Sequence, residues 1–289
     1  MASLNDIRRR LKSVKNSQQI TRAMKLVAAA KLRRAQDRVI AARPYSKALR
    51  DVLKSVAARA SAAKNPLLEV REEKRVVVLV VAGDKGLCGA FNTNINRAVT
   101  ALLGEKTHWE KVTLLPVGKK ALDFWKRRRF PLAPKTYAGI FTRVEPSHAR
   151  EIAQYLAAEL TENRIDAAYV VYNEFKSVLS QIVRVERLLP ISGGEAALAP
   201  AGPSLEYIYE PDPETILSRL LPRYLEFVIF RTLLESAAAE YGARMTAMDS
   251  ASKNAGEIID SLTLTYNRAR QARITKELIE IVSGAAALE

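Results

Sequence analysis

The sequence predicts an α/β protein with a long antiparallel coiled coil: two terminal helices form a rod, and a Rossmann-like α/β domain is inserted between them. Within the long run 213–282, apolar residues recur in alternating steps of four and three from Tyr241 to Ala269, which is the heptad spacing of a coiled coil. Residues 1–60 show similar spacing and contain no glycine. Strand-like and helix-like segments alternate between these two stretches, which is typical of a mostly parallel sheet. The expected divisions are the N-terminal helix (1–63), the α/β domain (70–190), a linker (191–210) and the C-terminal helix (211–289).

The N-terminal helix is predicted to contribute one strand of the coil. Its expected seam residues are Leu4, Ile7, Leu11, Val14, Ile20, Met24, Val27, Leu32, Ala35, Val39 and Ala42. The polar run 16–19 interrupts this seam. Pro44 is expected to kink or break the helix, because proline lacks an amide N–H and clashes with the preceding turn.

The C-terminal helix carries the clearest seam. Its residues are Tyr241, Met245, Met248, Ser252, Ala255, Ile259, Leu262, Tyr266 and Ala269. About 70 helical residues at 1.5 Å each would extend roughly 100 Å, which is more than the core of one domain needs. We therefore expect a partner outside the chain to surround or contact the rod. Two unrelated helices of an ordinary bundle are the alternative.

The inserted domain is predicted from alternating segments. The expected strands are 75–81, 111–117, 166–172 and 178–187, and the expected helices are one that ends near 103, then 119–129 and 146–163. The last two strands follow one another without a helix, so they are expected to pair antiparallel at the edge of the sheet.

A glycine turn follows the first strand. Gly83, Gly86 and Gly89 lie between a strand and a helix, where dinucleotide folds bind phosphate. The spacing GxxGxxG differs from both GxGxxG and the Walker pattern. A tight packed turn is therefore favoured over a nucleotide site, and Cys88 is expected to be a packed residue rather than a nucleophile. No cofactor, metal site or catalytic constellation is expected.

The net charge of +15 is concentrated at one end of the chain. Residues 1–60 hold 16 Lys and Arg against 3 Asp and Glu, a balance of +13. Such a helix could bind nucleic acid, an anionic membrane or acidic proteins, or act as a mitochondrial leader. Nucleic acid is disfavoured because no aromatic residue for base stacking precedes Tyr45. A leader is disfavoured because the heptads continue past residue 40.

Three motifs together carry a family resemblance. They are IRRRLKSVKNSQQITRAMKLVAA at 7–29, GDKGLCGAFN at 83–92, and the pair ARMTAMDSA at 243–251 and YNRARQARITKEL at 266–278. In this order they resemble the γ subunit family of F-type ATP synthases over essentially the whole chain. The resemblance implies a non-catalytic central rotor shaft with the α and β subunits, the ε subunit and the membrane c-ring as partners. A peripheral position on the cytoplasmic face of a bacterial inner membrane is expected with it.

The resemblance also implies site residues. Contacts with β-subunit levers and loops are expected at Met24, Arg33, Arg34, Arg244, Gln271 and Thr275. A bearing tip is expected at Ile274, Leu278, Ile279, Ile281 and Val282. A foot facing the membrane ring is expected at Tyr207 and Glu210. Core packing is the alternative for Met24, and an ordinary exposed position is the alternative for Arg244. A non-catalytic coiled-coil adaptor with an α/β recognition domain is the alternative function.

Overall fold

The computed structural model describes residues 4–57, 65–191 and 212–286. In chain order its elements are α1 (Leu4–Ala57), β1 (Arg75–Val81), α2 (Phe91–Glu105), β2 (Lys111–Val117), α3 (Lys119–Arg127), a 3-10 turn (Ile140–Thr142), α4 (Pro146–Thr161), β3 (Ala167–Phe175), β4 (Gln181–Leu189) and α5 (Pro213–Ala286). The chain divides into two compact units: Ala29–Arg244, and Met1–Ala28 with Met245–Glu289. The predicted fold class is confirmed.

In the larger unit, the four strands form one sheet in the order β2-β1-β3-β4. β1 pairs in parallel with β2 and β3, whereas β4 pairs antiparallel with β3 as predicted. Nearly all of β1 is apolar and buried, because helices cover both faces of this central strand. Val76, Val78 and Val80 pack with α2 and α3, and the alternate side chains of β1 pack on the other face.

That other face of the sheet is covered by α4 together with parts of α1 and α5. α5 buries an apolar row at every fourth residue, formed by Leu217, Leu221, Leu225, Ile229 and Leu233. Full burial of each such side chain contributes about 1.5–3 kcal/mol, so this row fixes α5 firmly against the domain. α1 adds Leu53 and Val56 to the same core. The helix α1 continues through Pro44, so the local break that proline suggested is wrong.

In the smaller unit, residues 4–28 of α1 pair with α5. The predicted α5 seam is confirmed, since Met248, Ser252 and Ala255 are buried and the later seam residues are partly buried. The α1 seam needs a correction: Ile20 and Val27 are 60% and 56% exposed. The positions turned inward there are Gln18, Thr21, Met24, Lys25 and Ala28. The heptad is therefore continuous, and polar residues occupy part of it.

None of the helices among the described residues combines the length and the apolar character needed to cross a lipid bilayer.

Candidate functional site

The glycine turn after β1 is organised by the carboxylate of Asp84. Oδ1 accepts hydrogen bonds from the backbone N–H groups of Lys119 at 3.0 Å and Gly139 at 2.7 Å. Oδ2 accepts a third from the N–H of Phe141 at 3.1 Å. The first of these donors lies at the N-terminus of α3, where the helix dipole favours a negative charge. The Asp84 carboxylate therefore ties the glycine turn to the loops that follow β2 and α3.

The glycine at 83 allows α5 to approach the turn. A Cβ atom on Gly83 would lie 2.9 Å from Cδ of Glu240, which is too close for two carbon atoms. The N–H of Gly83 donates to Oδ1 of Asn92 at 2.8 Å. Gly89 has a φ of +58°, a conformation that favours glycine. The prediction of a tight turn whose glycines permit close packing holds at these two positions.

Glu240 and Arg244 form a buried ion pair beside the turn. Nη2 of Arg244 lies 2.5 Å from Oε1 of Glu240, and the two side chains are 11% and 4% exposed. The same Nη2 donates to the carbonyl of Gly86 at 3.3 Å. Burial raises the pKa of Glu240, and Arg244 opposes that rise. Arg244 is thus not an ordinary exposed residue, because it links α5 to the backbone of the glycine turn.

Cys88 lies inside the same turn and is 1% exposed. Its Sγ is 3.2 Å from Nδ2 of Asn92. Burial raises the pKa of the thiol, which disfavours the thiolate that a nucleophile requires. Among the described residues, no group of three or more His, Cys, Asp or Glu side chains is placed to hold a metal ion.

The last turns of α5 extend beyond the partner helix. Gln18 lies beside Ser252, with its Nε2 at 3.2 Å from the carbonyl oxygen. In an antiparallel pair Leu4, fourteen residues earlier, is therefore level with Tyr266. Every side chain from 271 to 283 is exposed. We call residues 271–283 the bare segment.

The bare segment contains most of the predicted contact residues. Its five predicted tip residues, each between 48% and 68% exposed, are Ile274, Leu278, Ile279, Ile281 and Val282. Gln271 and Thr275 are exposed on the same segment. These five apolar side chains occupy one broad face of the helix, an arc of about 160° at 3.6 residues per turn, and no described part of the chain packs against that face.

The remaining predicted residues lie elsewhere. Arg33 and Arg34 are exposed on α1, and Met24 is partly buried in the seam of the smaller unit. Tyr207 and Glu210 lie outside the described residues.

Sequence reasoning missed Asp84 and Glu240 as organisers of the turn. Asp84 follows a buried strand almost directly, where a carboxylate meets the N–H groups of neighbouring loops. Glu240 directly follows the apolar run 237–239 and precedes Arg244 by four residues, which is the spacing of a helical ion pair. A charged pair next to an apolar run was the available signal.

Comparison with known proteins is consistent with this architecture. A protein family described as ATP synthase matches residues 3–288. The ATP synthase gamma chain of Solibacter usitatus is 52% identical over 294 residues, with 100% of both chains covered. That of Chlorobium phaeobacteroides (strain BS1) is 48% identical over 294 residues, covering 100% of this chain and 99% of the relative.

Two solved structures are also similar. One is from the central stalk and c-ring of Tetrahymena thermophila mitochondrial ATP synthase, with a TM-score of 0.62 and 27% identity, covering 81% of this chain and 99% of that one. The other is from Euglena gracilis mitochondrial ATP synthase, with a TM-score of 0.69 and 22% identity, covering 99% and 94%. The second likeness supports the fold alone.

The family match and the Tetrahymena central-stalk structure, together with a sheet inserted between two long helices, place the chain in the class of ATP synthase rotor subunits. The chain belongs to the ATP synthase gamma chain family. The resemblance seen in the sequence is confirmed, and with it the role of rotary central shaft.

Proposed function

We propose that this chain is a non-catalytic shaft that couples proton or sodium flow through a membrane c-ring to ATP synthesis or hydrolysis on a ring of α and β subunits. The paired helices of the smaller unit stand inside the α/β ring. The α/β domain rests on the c-ring beside the ε subunit, with Tyr207 and Glu210 facing the membrane ring. The complex lies on the cytoplasmic face of a bacterial inner membrane, and this chain is peripheral to that membrane.

The bare segment is the observation that carries this proposal. Five large apolar side chains are exposed on one broad face of the bare segment, which has no partner helix in the described part of the chain. Exposed apolar area of this kind marks an interaction site, because soluble proteins seldom leave large contiguous apolar patches in water. A surrounding sleeve of α and β subunits would cover this face, which is broader than the two-position seam of a coiled coil.

The basic α1 helix supports rotation past acidic levers. Arg33 and Arg34 are exposed and form no ion pair among the described residues. Charges on long flexible stems attract an acidic surface without a fixed geometry, and exposed pairs contribute only about 0–1 kcal/mol. We therefore expect weak attraction to each β lever in turn, with Met24 passing the same levers. A few tight bidentate pairs would instead hold the shaft in one position.

Arg244, Gln271 and Thr275 are the proposed contacts with β-subunit loops. Gln271 and Thr275 are exposed and free to meet a loop in any rotational position. Glu240 binds the Arg244 guanidinium through Nη2 only. Nε and Nη1 are not used in this pair, but the pair fixes the direction in which they point. A guanidinium that is already oriented loses less conformational freedom when it binds a second acceptor.

The proposed absence of catalysis in this chain rests on the glycine turn. Its GxxGxxG spacing matches neither phosphate-binding pattern, and Glu240 of α5 lies directly against Gly83. ATP chemistry then belongs to the α and β subunits.

The test is ATP hydrolysis by purified α and β subunits with this chain, without it, and by this chain alone. We expect the chain alone to be inert, and to raise steady turnover when it assembles with the other two. Hydrolysis by the chain alone would contradict the non-catalytic role. Failure to assemble with subunits from the same source would favour the adaptor alternative.

A further inference from the structure

The end of α3 carries a concentrated positive charge. Residues 119–135 contain seven Lys and Arg and one Asp. We call Arg127, Arg128 and Arg129 the α3 cluster. All three are exposed, and none has a carboxylate within ion-pair distance among the described residues. Arg127 donates to the backbone carbonyl of Asp123, and Arg128 stacks 3.7 Å from the centre of the Phe124 ring.

The fold places this cluster at the amino-terminal end of β2. α3 begins just after the carboxyl end of β2 and runs back along it. The chain then reverses and follows β2 in parallel, since the N–H of Leu114 donates to Pro131 at 2.9 Å and that of Ala133 to Leu114 at 2.8 Å. Arg129 precedes Pro131 by two residues, so the reversal lies level with the first residues of β2.

The last strand of the sheet ends at the same edge. β4 ends there, because Leu189 pairs with Ala168 at the start of β3. Ile191 donates its N–H to Leu67 at 2.7 Å, and the segment with Tyr207 and Glu210 follows it.

The start of α5 lies toward that edge as well. Glu240 is next to Gly83 at the carboxyl end of β1. Leu217 precedes Glu240 by 23 residues, or about 35 Å of helix. β1 itself spans only about 23 Å. α5 therefore begins at or beyond the amino-terminal edge of the sheet.

Some other cations at this edge are neutralised. Arg75 pairs with Asp166 at 2.6 Å, and Lys74 lies 3.1 Å from Glu72. Arg219 is a single exposed cation, whereas the α3 cluster places three exposed arginines in succession at the corner formed by β2 and α3. That corner lies at the edge where β4 ends.

We propose that the α3 cluster contacts the headgroups of anionic phospholipids beside the c-ring. The proposal rests on the proposed function, which puts this edge of the sheet toward the membrane. Guanidinium groups bind phosphate through paired hydrogen bonds, and each cation near an anionic surface strengthens binding about fivefold. A nucleic acid is a poorer occupant, because the Phe124 ring is already covered by Arg128. The contact would add a salt-sensitive attraction without blocking rotation, since fluid lipids offer no fixed register.

The experiment uses the complex of α and β subunits with the full chain, in which the proposed ring covers the α1 cations of the smaller unit. Vesicles rich in phosphatidylglycerol are compared with vesicles of phosphatidylcholine alone, in co-sedimentation at several salt concentrations. The test variant is R127Q/R128Q/R129Q. The matched control is K85Q/K119Q/K120Q, which removes three exposed cations at the opposite edge of the same sheet.

We expect the test variant to bind phosphatidylglycerol vesicles at least tenfold more weakly than the parent complex, and the control to bind as the parent does. Equal losses in both variants would overturn the proposal, because general charge would then explain the binding. Unchanged binding by the test variant would also overturn it. A test variant that is impaired only in assembly with the c-ring in neutral lipid would also overturn the proposal. The α3 cluster would then contact an acidic protein surface rather than lipid. Assembly and ATP turnover of the same preparations test the proposed function separately.

Discussion

Replacing Arg244 with methionine should make the stability of the chain strongly dependent on pH. The substitution removes the cation 2.5 Å from the buried carboxyl of Glu240. Burial already raises the pKa of Glu240 and Arg244 opposes that rise, while Asp84 and Lys31 act on it more weakly in opposite directions. Without Arg244 the pKa rises further, so the carboxyl takes up a proton rather than remain charged in an apolar site.

Proton uptake limits the energetic cost. The ordinary pKa of a glutamate carboxyl is 4.5. Protonating it at pH 7 costs at most about 3.5 kcal/mol of folding free energy, at about 1.4 kcal/mol per pH unit. At pH 5 the same limit is about 0.7 kcal/mol. Because the folded pKa is raised, stability is complete below the unfolded pKa and declines as pH rises toward the folded value. The variant should therefore lose up to about 2.8 kcal/mol between pH 5 and pH 7, beyond a pH-independent loss of packing.

Urea unfolding of the full chain measures this effect. Trp109 and Trp125 are buried in the inserted domain and report its unfolding by fluorescence. The double variant Glu240→Gln/Arg244→Met is the control, because it has no buried carboxyl to protonate and should lose the added pH dependence. A single variant that loses the same free energy at pH 5 and pH 7 would refute the reasoning.

Three further substitutions test other parts of the structure. Gly83→Ala should destabilise the chain by about 1–3 kcal/mol in the same titration, because its Cβ would lie 2.9 Å from Cδ of Glu240. Asp166→Asn should lower the urea midpoint near neutral pH but not in strong acid. Hydrogen bonds lower the pKa of Asp166, and the stabilisation is lost as pH falls through that lowered value. Leu278→Ser should leave the midpoint unchanged, because the side chain is exposed, yet reduce ATP turnover of the assembled complex.

Matched variants separate these effects from general ones. Gly86→Ala should be close to neutral, because the nearest atom to its Cβ would be 3.9 Å away. Leu179→Ser removes a leucine from the turn between β3 and β4 that is 84% exposed, against 56% for Leu278, and turnover should not change. Equal effects in Gly83→Ala and Gly86→Ala, or in the two leucine variants, would contradict the assignments.

The inserted domain was largely predictable because its strands differ in composition from their surroundings. β1 and β2 begin and end as predicted, since each is a short apolar run next to a turn or a charged residue. β4 was predicted too early, because Val178 is β-branched but lies in a turn closed by Ser177 and Ser180. Local hydrogen bonds between two serines decided the boundary, and strand propensity does not reveal them.

Part of the α1 seam could not be predicted because polar residues occupy it. Gln18 is directed inward because its Nε2 donates to the carbonyl of Ser252, and Lys25 because its Nζ lies 2.6 Å from Asp249. These partners are more than 220 residues away in sequence, so no local hydropathy pattern identifies them. Apolar periodicity alone therefore indicated an interruption where the heptad continues.

These polar contacts also determine how much of α5 is left uncovered. Polar residues at seam positions specify the register of a coiled coil, because a shifted register leaves them unpaired. A slip of one heptad would separate Lys25 from Asp249 by about 10 Å. It would also move the start of α1 along α5 by the same amount and change the length of the bare segment. The residues counted as an interruption thus set how far the apolar end of α5 extends beyond α1, and so how much of it is available to a surrounding partner.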